Sequence, residues 1–168
     1  MRLAHVSVTG RGETDRLLAK VVALLETDGL RLAGTVQTNL ARAGRDRCDM
    51  DLRVLPDGPV FRISEDRGAM ARGCLLDPQA IETAAVEVAA RIGGADLLVV
   101  NKFGKQEAAG RGFVPAIASA IARGMPVLVG VNGLNLPDYL TFAGGLSVAL
   151  PPVAADIRDW CRESCLAG

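Results

Sequence analysis

The chain has a single histidine, His5, and only three lysines, Lys20, Lys102 and Lys105. Aromatic residues make up 4% of it, which leaves no aromatic-rich basic surface on which single-stranded nucleic acid would stack. Net charge is also missing: 19 basic side chains balance 19 acidic ones, so nothing in the charge selects nucleic acid, an anionic membrane or an acidic partner. No run of apolar residues approaches the roughly 18 needed for a membrane helix, and the N-terminus lacks the charged, apolar and small-residue series of a signal peptide. A cytoplasmic location follows as an expectation. The four cysteines, Cys48, Cys74, Cys161 and Cys165, then read as reduced thiols rather than a disulfide framework. With its one histidine inside the first strand, the chain offers no Ser-His-Asp or Cys-His arrangement, which argues against nucleophilic hydrolase chemistry.

What is present is a regular alternation of strand and helix. The 168 residues suffice for one sizeable core, and residues 1–168 read as one domain. Leu3 to Thr9 is a short apolar strand ending in Gly10-Arg11-Gly12, after which Leu17, Leu18, Val21, Val22, Leu24 and Leu25 recur at helical spacing. Gly29 stops the helix and Arg31 to Thr38 supplies a second strand, completing a βαβ unit with a right-handed crossover. Met50 to Leu55 and Val60 to Ser64 alternate with period two around Pro56-Asp57-Gly58 and predict an inserted β-hairpin. Asp77-Pro78 opens a helix whose Ile81, Ala84, Ala85, Val88 and Ile92 share a face. Ala95 to Val100 is the continuous apolar run of a strand covered on both sides. A helix over Phe113 to Arg123, a buried strand over Pro126 to Val131, a short helix over Leu136 to Phe142, an edge strand over Leu146 to Leu150 and a closing helix over Ala154 to Cys165 complete the order. The fold class is α/β, a doubly wound and mainly parallel sheet.

Two segments carry candidate chemistry. Val8-Thr9-Gly10-Arg11-Gly12-Glu13-Thr14-Asp15 is a glycine turn before a helix, the setting in which backbone N–H groups surround phosphates, but it is short and has no lysine. Glu13 and Asp15 oppose phosphate while the helix dipole attracts it, so a plain tight turn and an anion site both remain open. Asn101-Lys102-Phe103-Gly104-Lys105-Gln106-Glu107 follows the buried strand, at the carboxyl edge where such sheets bind ligands. Phosphate-cleaving enzymes keep carboxylates here to order Mg²⁺ and activate water. An amide and an ammonium do neither, yet both donate hydrogen bonds to an oxyanion.

The element order and the Asn101 to Glu107 segment resemble the small P-loop nucleoside triphosphatases first described from thermophiles. In them an Asp-Glu-Ile-Gly-Lys-Met-Glu-like motif stands at this place. Gly104, Lys105 and Glu107 match that motif, whereas Asn101 and Lys102 replace both leading carboxylates. The resemblance implies a degenerate P-loop fold without the means of hydrolysis. A second resemblance spans nearly the whole chain. Cys48 to Leu52, Phe61 to Gly68, Ala71 to Pro78 and Asn101 to Glu107 are similar to a bacterial family whose members often stand near molybdate-transport genes. That implies, by association, a role in molybdate or molybdenum-cofactor handling.

Together these readings predict a binding protein for an oxyanion or nucleotide-like ligand, molybdate or a nucleotide among them. Its expected ligand-binding residues are Gly10, Arg11, Gly12, Thr14, Asn101, Lys102, Gly104 and Lys105. Arg67 and Arg72 would join them if the hairpin and its following loop fold over the strand ends. Cys48, Asp49 and Cys74 are weak candidates for a soft metal, since two lone cysteines without a histidine partner read more readily as small buried hydrophobes. An enzyme drawing on Asp49, Asp51, Asp66 or Glu107 as acid or base, and a structural module with a vestigial pocket, are the alternatives. A homo-oligomer or a molybdenum-pathway protein is a conceivable partner; nucleic acid and membrane are not expected.

Overall fold

The computed structural model describes residues 1–41, 48–65 and 75–167. Its first strand, β1 (Leu3–Val6), is buried throughout and stops three residues short of the expected Thr9. The reason is local: the Val8 N–H donates to Thr14 Oγ1 at 3.1 Å instead of to a neighbouring strand. Residues 7–12 therefore form a loop that leads into α1 (Glu13–Thr27). Leu18, Val21, Val22 and Leu25 recur every three or four positions and are all buried. Each such side chain contributes about 1.5–3 kcal/mol relative to exposure, which holds α1 against the sheet.

β2 (Leu32–Ala41) begins parallel to β7 (Leu97–Phe103) and then runs antiparallel, along its whole remaining length, to β3 (Cys48–Leu55). β3 turns back into β4 (Val60–Arg62), so the predicted hairpin is present. It does not fold over the strand ends, however. It extends the sheet beyond β2, because the outer edge of β2 needs backbone partners and Leu52, Val54 and Ile63 bury in the same core as Ala33 and Leu98.

A two-stranded ribbon of β5 (Ser64–Glu65) and β6 (Leu75–Leu76) precedes α2 (Pro78–Arg91). As the Asp77-Pro78 pair predicts, the Asp77 side chain accepts from the Gln79 N–H at 2.9 Å and Pro78 stands at the start of the helix. After β7 come α3 (Lys105–Ala108), α4 (Val114–Ala122), β8 (Val127–Val131), α5 (Leu136–Ala143), β9 (Ser147–Ala149) and α6 (Ala154–Leu166).

The seven-stranded sheet has the order β4-β3-β2-β7-β8-β1-β9, with β2, β7, β8, β1 and β9 parallel. On one face α1 and α6 bury Leu18, Leu25, Ile157 and Cys161; on the other, α2, α4 and α5 bury Val88, Ile117 and Tyr139. The connection from β1 leads away to β2, while that from β8 runs the other way, past β1, to β9. Such a reversal opens a crevice at the carboxyl ends of the strands. Within this core, His5 meets Ser147 Oγ at 2.9 Å, and that hydroxyl meets Tyr139 Oη at 2.8 Å. Burial lowers the His5 pKa, consistent with a neutral, satisfied ring.

Candidate functional site

The loop from β1 to α1 turns on two left-handed glycines, Gly10 (φ 112°) and Gly12 (φ 74°). Gly12 is the N-cap of α1 and has no side chain with which to cap it. The Glu13 N–H reaches the Gly10 carbonyl at 3.4 Å, and the start of α1 presents the positive end of its dipole to the loop with no side-chain cap. Counted back from α1, Gly12-Glu13-Thr14 occupies the Gly-Lys-Ser/Thr end of the P-loop signature, with Ser7 where the first glycine belongs. The loop is therefore of full length rather than short, and its lysine position holds a carboxylate. Glu13 is engaged by Arg16 one turn on.

The far wall is set by an irregularity in β7. Val100 pairs with Val129 and Phe103 with Val131, so Asn101 and Lys102 together face the single residue Gly130. An extra residue of this kind re-aims side chains beside it. It also presses the Asn101 carbonyl so close to Gly130 that a Cβ there would lie 2.2 Å from it.

Asn101 lies within β7, not in the loop beyond it, and is 2% exposed. Its Nδ2 donates to Asp15 Oδ1 at 2.8 Å, and its Oδ1 accepts from the Gln37 backbone N–H at 2.9 Å. β2 and β7 pair no further than Gly34 and Val99, and this side-chain amide continues their connection. Asp15 Oδ2 accepts two more amide hydrogen bonds, from Asn39 Nδ2 at 2.9 Å and Gln37 Nε2 at 3.3 Å. Asp15 is thus a buried carboxylate met by three side-chain amides, and the oxyanion that Asn101 serves within the fold is this one.

Two adjoining cavities open here. The first, about 500 Å³, is lined by Gly10, Arg11, Gly12, Thr14, Asn101 and Lys102 from the expected set, with Asp15 and residues 130–134. The second, about 420 Å³, takes in Gly104 and Lys105 together with Thr35, Gln37 and Glu107, and shares Asn101, Lys102, Asn132 and Leu134 with the first. Lys102 stands on the common wall. Glu107, considered above as an acid or base, is 4% exposed and fully used by backbone: its Oε2 accepts from Gly104 N–H at 3.0 Å and its Oε1 from Phe113 N–H at 3.1 Å. Burial raises its pKa, against the pull of those hydrogen bonds.

The remaining expected residues are not gathered here. Asp49 is ion-paired with Arg62 at 2.9 Å, and Asp51 is bound by the same guanidinium. Asp66, Arg67, Arg72 and Cys74 lie outside the described residues, as does the side chain of Cys48. Among the described residues no group of three or more His, Cys, Asp and Glu side chains is placed to hold a metal ion. No helix among them is long and apolar enough to cross a membrane. Cys161 and Cys165 are free thiols; burial pushes the Cys161 thiol up to about 12.

The sequence reading missed Asp15 as a hub, and Thr35, Gln37 and Asn39 altogether. The available signal was their spacing: three polar residues at every second position, Thr35, Gln37 and Asn39, at the carboxyl end of a strand that continues a βαβ unit.

The chain resembles two solved structures along almost its full length. A human cancer-related nucleoside triphosphatase superposes with a TM-score of 0.63 at 16% identity, covering 99% of this chain and 97% of the other. THEP1 from the hyperthermophile Aquifex aeolicus gives 0.63 at 13% identity, covering 97% and 96%. At these identities the likeness concerns the fold, which is thereby shown to be the mainly parallel α/β type expected. In sequence, 164 residues are 35% identical to Molybdenum import ATP-binding protein ModC 2 of Bradyrhizobium diazoefficiens; that is 97% of this chain but 18% of the relative, so the chain spans under a fifth of its length. Residues 3–160 match the family model described as "Protein of unknown function (DUF2478)", and the chain belongs to that family.

Proposed function

We propose that the chain binds a small oxyanion, or the phosphate of a nucleotide-like molecule, in the crevice between the Gly10 to Gly12 loop and Lys102, and does not hydrolyse it. The observation that carries this reading is the pair of replacements facing each other across the crevice. Glu13 takes the lysine position, and Asn101, already bound to Asp15, takes the position of a Mg²⁺-ordering carboxylate. Polarising a phosphoanhydride depends on those two charges. Holding an anion needs less: uncapped helix N–H groups and an ammonium suffice. Asp15 does not defeat this, because three amides already answer its carboxylate.

Molybdate is the oxyanion favoured by the resemblance to a molybdenum import ATP-binding protein, which supports a role in molybdate or molybdenum-cofactor handling. Calorimetry with molybdate, phosphate and ATP tests the reading. Binding of at least one, weakened about tenfold or more by Lys102→Ala, is expected; no heat with any of the three overturns it. The rival reading, a divergent nucleoside triphosphatase, draws on the fold shared with the human enzyme. Phosphate release from ATP or GTP with Mg²⁺, above the buffer rate and abolished by Lys102→Ala, would establish it instead.

A further inference from the structure

Lys102 and Lys105 both line the cavity of about 420 Å³, and among the described residues neither makes a hydrogen bond or an ion pair. The one carboxylate on that wall, Glu107, is already held by the Gly104 and Phe113 N–H groups. Two ammoniums therefore face the cavity with no charge to answer them. Two amides add donors. Asn132 Oδ1 accepts from the Asn135 N–H at 3.0 Å, and Gln106 Oε1 accepts from Arg111 Nε at 3.1 Å. Those N–H groups only donate, so they fix both amide oxygens, and each amide is left with its NH₂ group to offer. The remainder of the wall is different in kind. Leu52 on β3, Ile63 after β4 and Ile81 on α2 are apolar and buried, and they belong to the β3 side of the sheet. Lys102, Lys105, Gln106 and Asn132 stand at the ends of β7 and β8, on the far side of β2. The cavity thus has a cationic, donor-rich end and an apolar end.

We propose that this cavity binds a small organic anion, its carboxylate or phosphate head between Lys102 and Lys105 and its compact apolar body against Leu52, Ile63 and Ile81. A bare oxyanion answers the ammoniums but leaves the apolar end unfilled. A neutral apolar molecule does the reverse, and a cation is repelled. The volume falls in the range of small-molecule sites, where a few placed polar groups orient a ligand against apolar walls. Lys105, Gln106 and the three apolar residues border the second cavity and not the first, so this site is additional to the loop crevice and does not depend on it.

The test is calorimetry of the full chain with phenylacetate and phenyl phosphate, against acetate, inorganic phosphate and the neutral 2-phenylethanol. At least one aromatic anion should bind about tenfold or more tighter than its ringless counterpart and than 2-phenylethanol, and the better of the two identifies the head group. Lys105→Ala should remove about tenfold of that affinity, while Lys105→Arg, which keeps the charge, retains most of it. Methyl resonances of Leu52, Ile63 and Ile81 should shift as the ligand is added. The proposal is overturned if 2-phenylethanol binds as tightly as the anions, if Lys105→Ala leaves their affinity unchanged, or if those methyl groups do not respond. Inorganic phosphate binding with no gain from the ring strikes this site and leaves the loop crevice standing. An aromatic anion held as expected, with no heat from molybdate, phosphate or ATP, supports this site and sinks the loop reading alone.

Discussion

Asn101 Nδ2 and Asp15 Oδ1 lie 2.8 Å apart, joining two buried side chains that are 86 residues apart in sequence. This contact ties the start of α1 to the bulge in β7, and with it the two walls of the crevice. It also explains why an amide stands in β7: a carboxylate there would face the Asp15 carboxylate directly.

Asn101→Asp should accordingly destabilise the fold by about 3 kcal/mol, the scale of an uncompensated buried charge, with Asp15→Asn costing less. Combining the two restores one acceptor and one donor across the contact, so the double variant should be more stable than the sum of the single losses implies. A double-mutant cycle by urea denaturation measures this, and simple additivity would show that the contact has no coupling energy.

Glu13→Lys puts an ammonium where the P-loop signature has one. The Glu13 to Arg16 pair that it removes is solvent-exposed and contributes about 0–1 kcal/mol, so folding should be little affected. Affinity for phosphate is expected to rise about tenfold, read by calorimetry, with no phosphate release from ATP because β7 still lacks its carboxylate. Turnover in this variant would mean that the single lysine, not the pair of replacements, had held hydrolysis back.

Gly130→Ala tests the bulge. The new methyl would lie 2.2 Å from the Asn101 carbonyl oxygen and 2.5 Å from Leu18 Cδ1, so the melting temperature should fall by the equivalent of about 1–3 kcal/mol and ligand affinity should fall with it. Gly93→Ala, whose added methyl meets nothing within 4 Å, is the control and should stay within about 0.5 kcal/mol. Equal effects of the two changes would contradict the close approach of β7 and β8.

Carboxyl titrations should separate in two directions. Hydrogen bonds from Arg158 hold the Asp28 carboxyl below its ordinary value, and those from Arg31 do the same for Asp96. Their contribution to stability is complete above the ordinary carboxylate range and is lost as pH falls through the lowered values. Glu107, raised by burial, has the opposite sign: its contribution is present below the ordinary range and is lost as pH rises through its raised value. Carboxyl ¹³C shifts followed against pH should show Glu107 titrating last of the three. In denaturation experiments Glu107→Gln should flatten the decline in stability just above the ordinary range; a decline that persists assigns it to another group.

The glycine turn before α1, the buried run of β7 and the Asp77-Pro78 helix start were all legible, because each is a local pattern with a local cause: a periodicity, a breaker or a cap. The place of the candidate crevice was legible for the same reason, since the carboxyl edge of parallel strands follows from the βαβ order. The destination of the 50–64 hairpin was not. Its alternation predicts two strands but says nothing about which edge they join, and that was decided by the unpaired side of β2.

The sequence by itself determined the α/β class, the order of its elements and the absence of a lysine before Thr14, all of which are properties of neighbouring residues. Only the tertiary structure decided what Asn101 binds, because its partners Asp15 and Gln37 are 86 and 64 residues away and are brought to it by the parting of β2 from β7. The bulge opposite Gly130 and the Thr35 hydroxyl, unpaired among the described residues, belong to the same class of fact. A hydrogen bond, or the lack of one, depends on where strands diverge in space, and no spacing along the chain records that distance.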